Sequence, residues 1–225
     1  MFARVLTNPG PPRRAGFTLV EVLVTMAIVA LLSSVAIGIY PTVIRHAQAA
    51  GCLTHMRSLA IAFTEYAGEH DGQLPGRSTG EGVDKWPTLL LPYVSGPRAY
   101  VDPGDPVASA VPDQDLVSNS ANNSSFFFNG FNDIGAYTNP NMTVRLSNLT
   151  NLGSLLLLGQ KVYGSTQYYM DFVEGNENDI LNKTAYFGGS NYAYADGSAS
   201  FMPASQYSDT MWLVNQNYVI PPVGQ

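Results

Sequence analysis

The sequence predicts an α+β fold in which one long N-terminal helix packs on a loop-rich antiparallel β-sheet head. An apolar run at residues 17–44 passes into a helical stripe of apolar residues that extends to about residue 70. Residues 71–225 are rich in Gly, Pro, Asn, Ser and Tyr, and charged residues make up only 12% of the chain. This composition favours short strands and irregular loops in the head over a helical bundle.

The apolar run is long enough to cross a membrane. It covers the 28 residues from Phe17 to Ile44, and about 20 apolar residues span a hydrocarbon core of roughly 30 Å. Glu21 is the only charged residue between Arg14 and Arg45. Because a charged group inside a bilayer is costly, an acid placed there is expected to be functional and to have a partner.

The second part of the helix, residues 45–70, is predicted to lay one face on the sheet. Its apolar residues recur at intervals of four, three, four and three, at Cys52, Met56, Leu59, Phe63 and Tyr66. We interpret Cys52 and Met56 as core residues. Pro41 is expected to kink or loosen the helix near Gly38, and Asp71-Gly72 is expected to end it.

Three strands and a hairpin are predicted in the head. Strands are predicted at residues 125–129, 154–159 and 167–173, and the run Leu155 to Leu158 indicates that the second of these is a buried central strand. Residues 191–201 predict a hairpin around Asp196-Gly197. An Asp-Gly pair between two strands predicts a type I′ turn, in which both central residues have positive φ.

The N-terminal residues resemble those of type IV prepilins and of the pseudopilins of type II secretion. The sequence Gly16-Phe17-Thr18-Leu19-Val20-Glu21 follows a basic segment, residues 1–16, that contains Arg4, Arg13 and Arg14. A secretory signal would carry its cleavage site after the apolar stretch, whereas the Gly-Phe junction here precedes it. The alternative is a plain signal anchor that happens to contain these residues.

The resemblance implies how the chain is processed and where it resides. A prepilin peptidase would cut between Gly16 and Phe17, remove the leader 1–16, and leave an N-methylated Phe17 as the first mature residue. Glu21 would be the assembly residue, and we hypothesise that it pairs with the free amine of Phe17 on a neighbouring subunit or on its own chain. The protein would then be a single-pass protein of the bacterial inner membrane, with its head in the periplasm or outside the cell until a filament forms.

A second block looks like a large group of bacterial pilin-like proteins, with two departures. The resemblance covers residues from Tyr66 to Val94 and, further along the chain, the Asp-Gly hairpin. Members often have a cysteine-proline-aspartate element where this chain has Val101-Asp102-Pro103-Gly104-Asp105-Pro106, and a histidine where this chain has Tyr186. Many type IV pilins also close a C-terminal loop with a disulfide, which a chain with the single cysteine Cys52 lacks; this favours the pseudopilins.

Charge and residue types exclude several functions. The formal net charge is −6, and removing the three arginines of the leader would make it −9, so no nucleic-acid partner is expected. Beyond Asp71 there is no His or Cys, so the head has neither a Ser-His-Asp nor a Cys-His site, and we do not expect an enzyme. There is no nucleotide-binding motif, so an associated ATPase and assembly platform would supply the work of assembly.

One acidic segment is a candidate calcium site. It extends from Asp171 to Asp179 and offers carboxylate oxygens of the kind that Ca²⁺ prefers, at Asp171, Glu174, Glu177 and Asp179. Major pseudopilins resemble it in having a calcium loop near the C-terminus, although their ligand pattern does not match this segment. The alternative is a solvated acidic loop.

The predicted function is a structural one: a processed subunit that polymerises through its N-terminal helix into a type II secretion pseudopilus or a type IV pilus-like filament. Its partners would be copies of itself, related pilins, the prepilin peptidase and the assembly machinery. The alternative is a membrane-anchored module that binds a polysaccharide or another surface ligand and uses the same processing signal.

Overall fold

A computed structural model describes residues 16–77, 85–118, 123–135, 144–170 and 180–215. The chain divides into two compact units, Met1–Val43 and Ile44–Gln225. The main elements are helix α1 (Leu19–Glu69) and strands β1 (Phe126–Asn129), β2 (Leu156–Gln160), β3 (Tyr169–Met170), β4 (Gly189–Tyr194) and β5 (Ala199–Pro203). Short α-helices are α2 (Trp86–Leu90), α3 (Pro106–Ser109) and α4 (Asp113–Ser118), and 3-10 turns lie at Leu91–Tyr93, Pro97–Tyr100, Asn132–Ile134, Leu146–Asn148, Ala204–Gln206 and Asp209–Trp212.

The first unit consists, in its described part, of residues 16–18, which have no regular secondary structure, and the beginning of α1. Every side chain there is exposed. Among the described residues, α1 is the one helix long and apolar enough to cross a membrane. The helix includes Pro41 without ending there.

In the second unit, the later part of α1 packs on the sheet as the apolar spacing predicts. Cys52, Met56, Leu59 and Phe63 are buried in one core with strand residues such as Phe128. The helix ends at Glu69, where Asp71 takes a left-handed φ of 54° and the amide of Gly72 donates to the carbonyl of Ala67 over 2.7 Å. This bond pattern is a Schellman-type C-cap, so the predicted end of the helix is confirmed.

The sheet is mixed, with the strand order β3-β1-β2-β4-β5. The pairs β1–β2, β2–β4 and β4–β5 are antiparallel, whereas β1 and β3 are parallel. An all-antiparallel sheet was therefore the wrong expectation for its β3 edge: the chain reverses direction between β2 and β3, and because β2 is antiparallel to β1, β3 runs in the direction of β1. The central position of β2 is confirmed, and its residues are all buried. Residues 171–173 of the third predicted strand lie outside the described residues.

The hairpin between β4 and β5 is present, but its turn is not of type I′. Gly197 has a positive φ of 86°, whereas Asp196 is not among the described residues with positive φ. The amide of Gly197 donates to the carbonyl of Tyr194 over 3.1 Å, and the amide of Tyr194 donates to the carbonyl of Ser198 over 2.8 Å. This is a three-residue loop with glycine at the left-handed position. Asp196 instead accepts the amide of Ser198 at 2.9 Å, a local bond that Asp forms readily in turns.

Phe63 is the centre of the contact between α1 and the sheet. Its ring stacks on Phe128 of β1 at 4.6 Å between centroids and lies 5.6 Å from the Trp86 ring of α2. One side chain therefore contacts two other elements of the core, β1 and α2. Because protein cores are closely packed, removing this ring would leave a cavity.

We expect Phe63→Ala to lower the free energy of unfolding by about 3–5 kcal/mol, because it removes a buried ring and leaves a cavity. The measurement is chemical denaturation of the chain in detergent, monitored by tryptophan fluorescence. Ile61→Ala is the control on the same helix, since Ile61 is 46% exposed, and it should cost no more than about 0.5 kcal/mol. Equal losses for the two variants would contradict this packing.

Candidate functional site: the start of the N-terminal helix

The predicted processing and assembly residues lie together at the start of α1. Gly16 and Phe17 precede the first turn of the helix, and the Phe17 side chain is 87% exposed. Glu21 is in the first turn of the helix. The Gly16-Phe17 bond therefore lies in an exposed part of the chain outside regular secondary structure.

Glu21 has a hydrogen-bonding role that the sequence analysis missed. Its Oε2 atom accepts the backbone amide of Thr18 at 2.8 Å and the Thr18 hydroxyl at 2.9 Å. In return, Thr18 Oγ1 accepts the amide of Glu21 at 3.3 Å. These reciprocal bonds form a capping box, whose sequence signal, Thr or Ser followed three residues later by Glu, is present in Thr18-Leu19-Val20-Glu21.

The capping box explains how a carboxylate is tolerated at this end of an apolar helix. The first amides of a helix have no partner within the helix, and an acid in the first turn also interacts favourably with the helix dipole. Glu21 satisfies one such amide and holds its own charge on two donors of the same chain. The proposed pairing of Glu21 with the Phe17 amine remains a prediction.

The same residues match a known family. Residues 11–37 fit the family described as "Prokaryotic N-terminal methylation motif". The chain carries the N-terminal methylation motif. The matched range contains Gly16, Phe17 and Glu21, so the resemblance inferred from these residues is confirmed.

A relative of this chain is the "Fimbrial protein" of Neisseria meningitidis serogroup B (strain ATCC BAA-335 / MC58). The two sequences are 37% identical over 68 residues, which is 30% of this chain and 39% of the relative. The similarity therefore covers well under half of the fimbrial protein. No solved structure is significantly similar to this chain.

The calcium candidates Asp171, Glu174, Glu177 and Asp179 lie outside the described residues, so the calcium site stays a prediction. Within the described ranges, no group of three or more His, Cys, Asp or Glu side chains is arranged to hold a metal ion.

The head contains a buried polar centre around Asp102. Oδ1 of Asp102 accepts the hydroxyl of Tyr186 and, at 2.9 Å, the amide of Gly104, while Oδ2 accepts the side-chain amide of Gln160 at 2.6 Å. Burial raises the pKa of the Asp102 carboxyl, and the three hydrogen bonds oppose that rise. Three donors on its two oxygens favour the ionised carboxylate, which can only accept hydrogen bonds.

The two departures from the pilin-like group thus meet in space. Asp102 stands in the segment that lacks the cysteine, and Tyr186 stands where the histidine is usual. The two residues are 84 positions apart in the sequence, so no local pattern could have paired them. Burial, together with the Asp102 charge, raises the pKa of Tyr186, which keeps its hydroxyl a donor.

The polar centre continues to the sheet and the helix. Oε1 of Gln160 accepts the backbone amide of Asn191 at 2.7 Å, and the Asn191 side chain donates to the carbonyl of Ala49 at 3.0 Å. Cys52 lies beside this network, and burial with the Asp102 charge raises the pKa of its thiol. A protonated, buried thiol is unreactive, so the interpretation of Cys52 as a core residue is confirmed.

The head also contains a cavity of about 220 Å³, which lies between α3 and the segment after β2. Lys161 and Asp105 are both buried in its lining. Asp105 caps α3 by accepting the amides of Val107 and Ala108 at 2.9 and 3.1 Å, and it accepts the Ser125 hydroxyl at 2.8 Å. Burial lowers the pKa of Lys161 to about 7, against the opposing charge of Asp105.

We expect Asp102→Asn to lower the free energy of unfolding by about 1–3 kcal/mol. The new amide nitrogen would face the Gln160 donor, and rotating Gln160 would turn its nitrogen toward the Asn191 amide. The check is denaturant unfolding at pH 7 beside Asp113→Asn, which removes an exposed ion pair with Arg98 and should cost at most about 1 kcal/mol. A loss for Asp102→Asn no larger than for this control would contradict the network.

Lys161 predicts a pH dependence of stability. A lysine whose pKa falls from 10.5 when unfolded to about 7 when folded binds fewer protons in the folded state between these values. Stability should therefore rise with pH across this window, by at most about 1.4 kcal/mol per pH unit. The measurement is unfolding at pH 7.5–9.5, and Lys161→Met should show a flatter dependence than the unsubstituted chain. The same slope in both proteins would contradict it.

Proposed function

We propose that this protein is a pilin-type structural subunit, cut by a prepilin peptidase between Gly16 and Phe17 and polymerised through its N-terminal helix. The membrane-spanning segment 17–44 holds the subunit in the bacterial inner membrane before assembly. The filament is a type II secretion pseudopilus or a type IV pilus-like fibre, and the single cysteine favours the pseudopilus. An ATPase and a membrane platform drive assembly from outside this chain.

The observation that carries the proposal is the apolar, fully exposed beginning of α1 combined with the methylation motif. None of the most apolar 18-residue window of this helix is buried by the rest of the protein. Such a surface needs lipid or other apolar helices around it. A membrane supplies the first environment, and the same segment of neighbouring copies supplies the second once a subunit leaves the bilayer.

Processing and assembly are linked at Glu21. Cleavage after Gly16 creates a charged amine on Phe17, one residue before the capping Thr18. Thr18 keeps the Glu21 carboxylate hydrogen-bonded at the start of the helix while the subunit is alone. In the filament, the amine of a neighbouring subunit pairs with that carboxylate and sets the axial register, as a single polar residue does in a coiled-coil core.

We expect Glu21→Val to be inserted and cleaved normally but to lower filament yield at least about tenfold, which corresponds to about 1.4 kcal/mol. Thr18→Ala is the matched control, because it removes the intrachain cap while keeping the charge, and its yield should stay within about threefold of the unsubstituted protein. Filaments are sheared from cells and quantified by immunoblot, and the mature N-terminus is identified by mass spectrometry. Normal filament yield from Glu21→Val would refute the assembly role.

A further inference from the structure

The head has an apolar groove beside α1 that the proposed polymerisation does not yet use. It has a volume of about 370 Å³ and is lined almost entirely by carbon atoms. One wall is a stretch of α1 with His46, Ala49, Ala50 and Leu53, and the other is formed by Phe187, Asn191 and Phe201. All of these residues belong to the second unit.

Phe187 is placed on this groove by a strained turn. Tyr186 and Gly189 exchange both backbone hydrogen bonds, at 2.9 and 2.8 Å, so Phe187 and Gly188 are the two central residues of a tight turn. Both have positive φ, 46° for Phe187 and 77° for Gly188. This is the dihedral pattern of a type I′ turn, which favours Asn-Gly and disfavours a bulky first residue.

The Phe187 side chain is only about half buried, although its backbone is strained. The side chain is 48% exposed, and its ring contacts are with the exposed side chains of His46, at 4.1 Å between centroids, and Arg45, at 5.6 Å. Phe201 on β5, also in the groove, is 40% exposed. A turn anchored through Tyr186 on Asp102 therefore holds an aromatic ring at the surface, which is where an interface would use it.

We infer that this groove receives the apolar segment 17–44 of a second copy of the chain. The inference rests on the proposed function and names the head surface that takes part in assembly. Ala49, Ala50 and Leu53 of the groove wall belong to the same helix as the segment, so copies that lie parallel with an axial offset would bring the segment of one copy against the wall of the other. Small residues in the wall allow another helix to approach closely.

Shape and charge both favour this occupant. Most of the large exposed side chains of the segment are aliphatic Val, Leu and Ile, which suit an apolar groove flanked by phenylalanine rings. Arg45 lies over the Phe187 ring, and none of the described residues that line the groove is acidic. The segment has no basic residue, so a second copy supplies the apolar complement without repelling Arg45.

Phe187→Asn tests the groove without weakening the fold. Asparagine suits the strained turn position better than phenylalanine, so the melting temperature should stay the same or rise. Membrane insertion and cleavage should be normal, and filament yield should fall at least about tenfold. Ile61→Asn is the matched control, an exposed apolar residue of α1 outside the groove, and it should assemble as the unsubstituted chain does.

Cross-linking identifies the occupant. Phe187→Cys is combined with single cysteines placed at Val24, Leu31 or Ile37, which are all exposed, while the native Cys52 stays buried. A disulfide between copies within filaments, absent when Ile61→Cys replaces Phe187→Cys, is the expected result. Filaments from Phe187→Asn at normal yield, or cross-links from Phe187→Cys only to another protein, would overturn the inference. Absence of filaments from the unsubstituted protein would instead refute the proposed function.

Discussion

The arrangement of the head depends on the buried carboxylate of Asp102, which joins segments that are far apart in the sequence. It accepts Tyr186 from the turn before β4, Gln160 from the central strand and the backbone of its own loop. Through Gln160 and Asn191 the network reaches the carbonyl of Ala49 on α1. Because an unsatisfied buried donor or acceptor is costly, these elements are fixed in one arrangement. The turn that exposes Phe187 is anchored at this centre.

The side chains of the long helix are exposed in its first part and buried on one face in its second part. Before Ile44 its described side chains are all exposed and mostly apolar, whereas Cys52, Met56, Leu59 and Phe63 lie in the core of the head. A sequence that is apolar all round in one part and apolar on one face in the next is what these surroundings require. Glu21 is the one charged residue of the first part, and Thr18 accommodates it by a cap made within the same turn.

The sequence predicted those features of the fold that depend on neighbouring residues. The apolar spacing of α1, its end at Asp71-Gly72, the central strand at 154–159 and the hairpin around Asp196 were all evident from short patterns. The type I′ turn was wrong because Asp196 bonds to Ser198 and leaves the positive φ to Gly197 alone. The parallel β3 edge was missed because strand direction depends on the crossover between β2 and β3, which no local pattern specifies.

The sequence by itself determined the long apolar helix and the methylation motif at its start, because Gly16, Phe17, Glu21 and the apolar run are recognised from their order along the chain. The tertiary structure alone decided which residues of the head act together. Asp102 met Tyr186, and Phe187 met His46, only when loops far apart in sequence folded onto α1. Contacts of this kind depend on long-range packing, so they cannot be identified from residue types or from local sequence patterns.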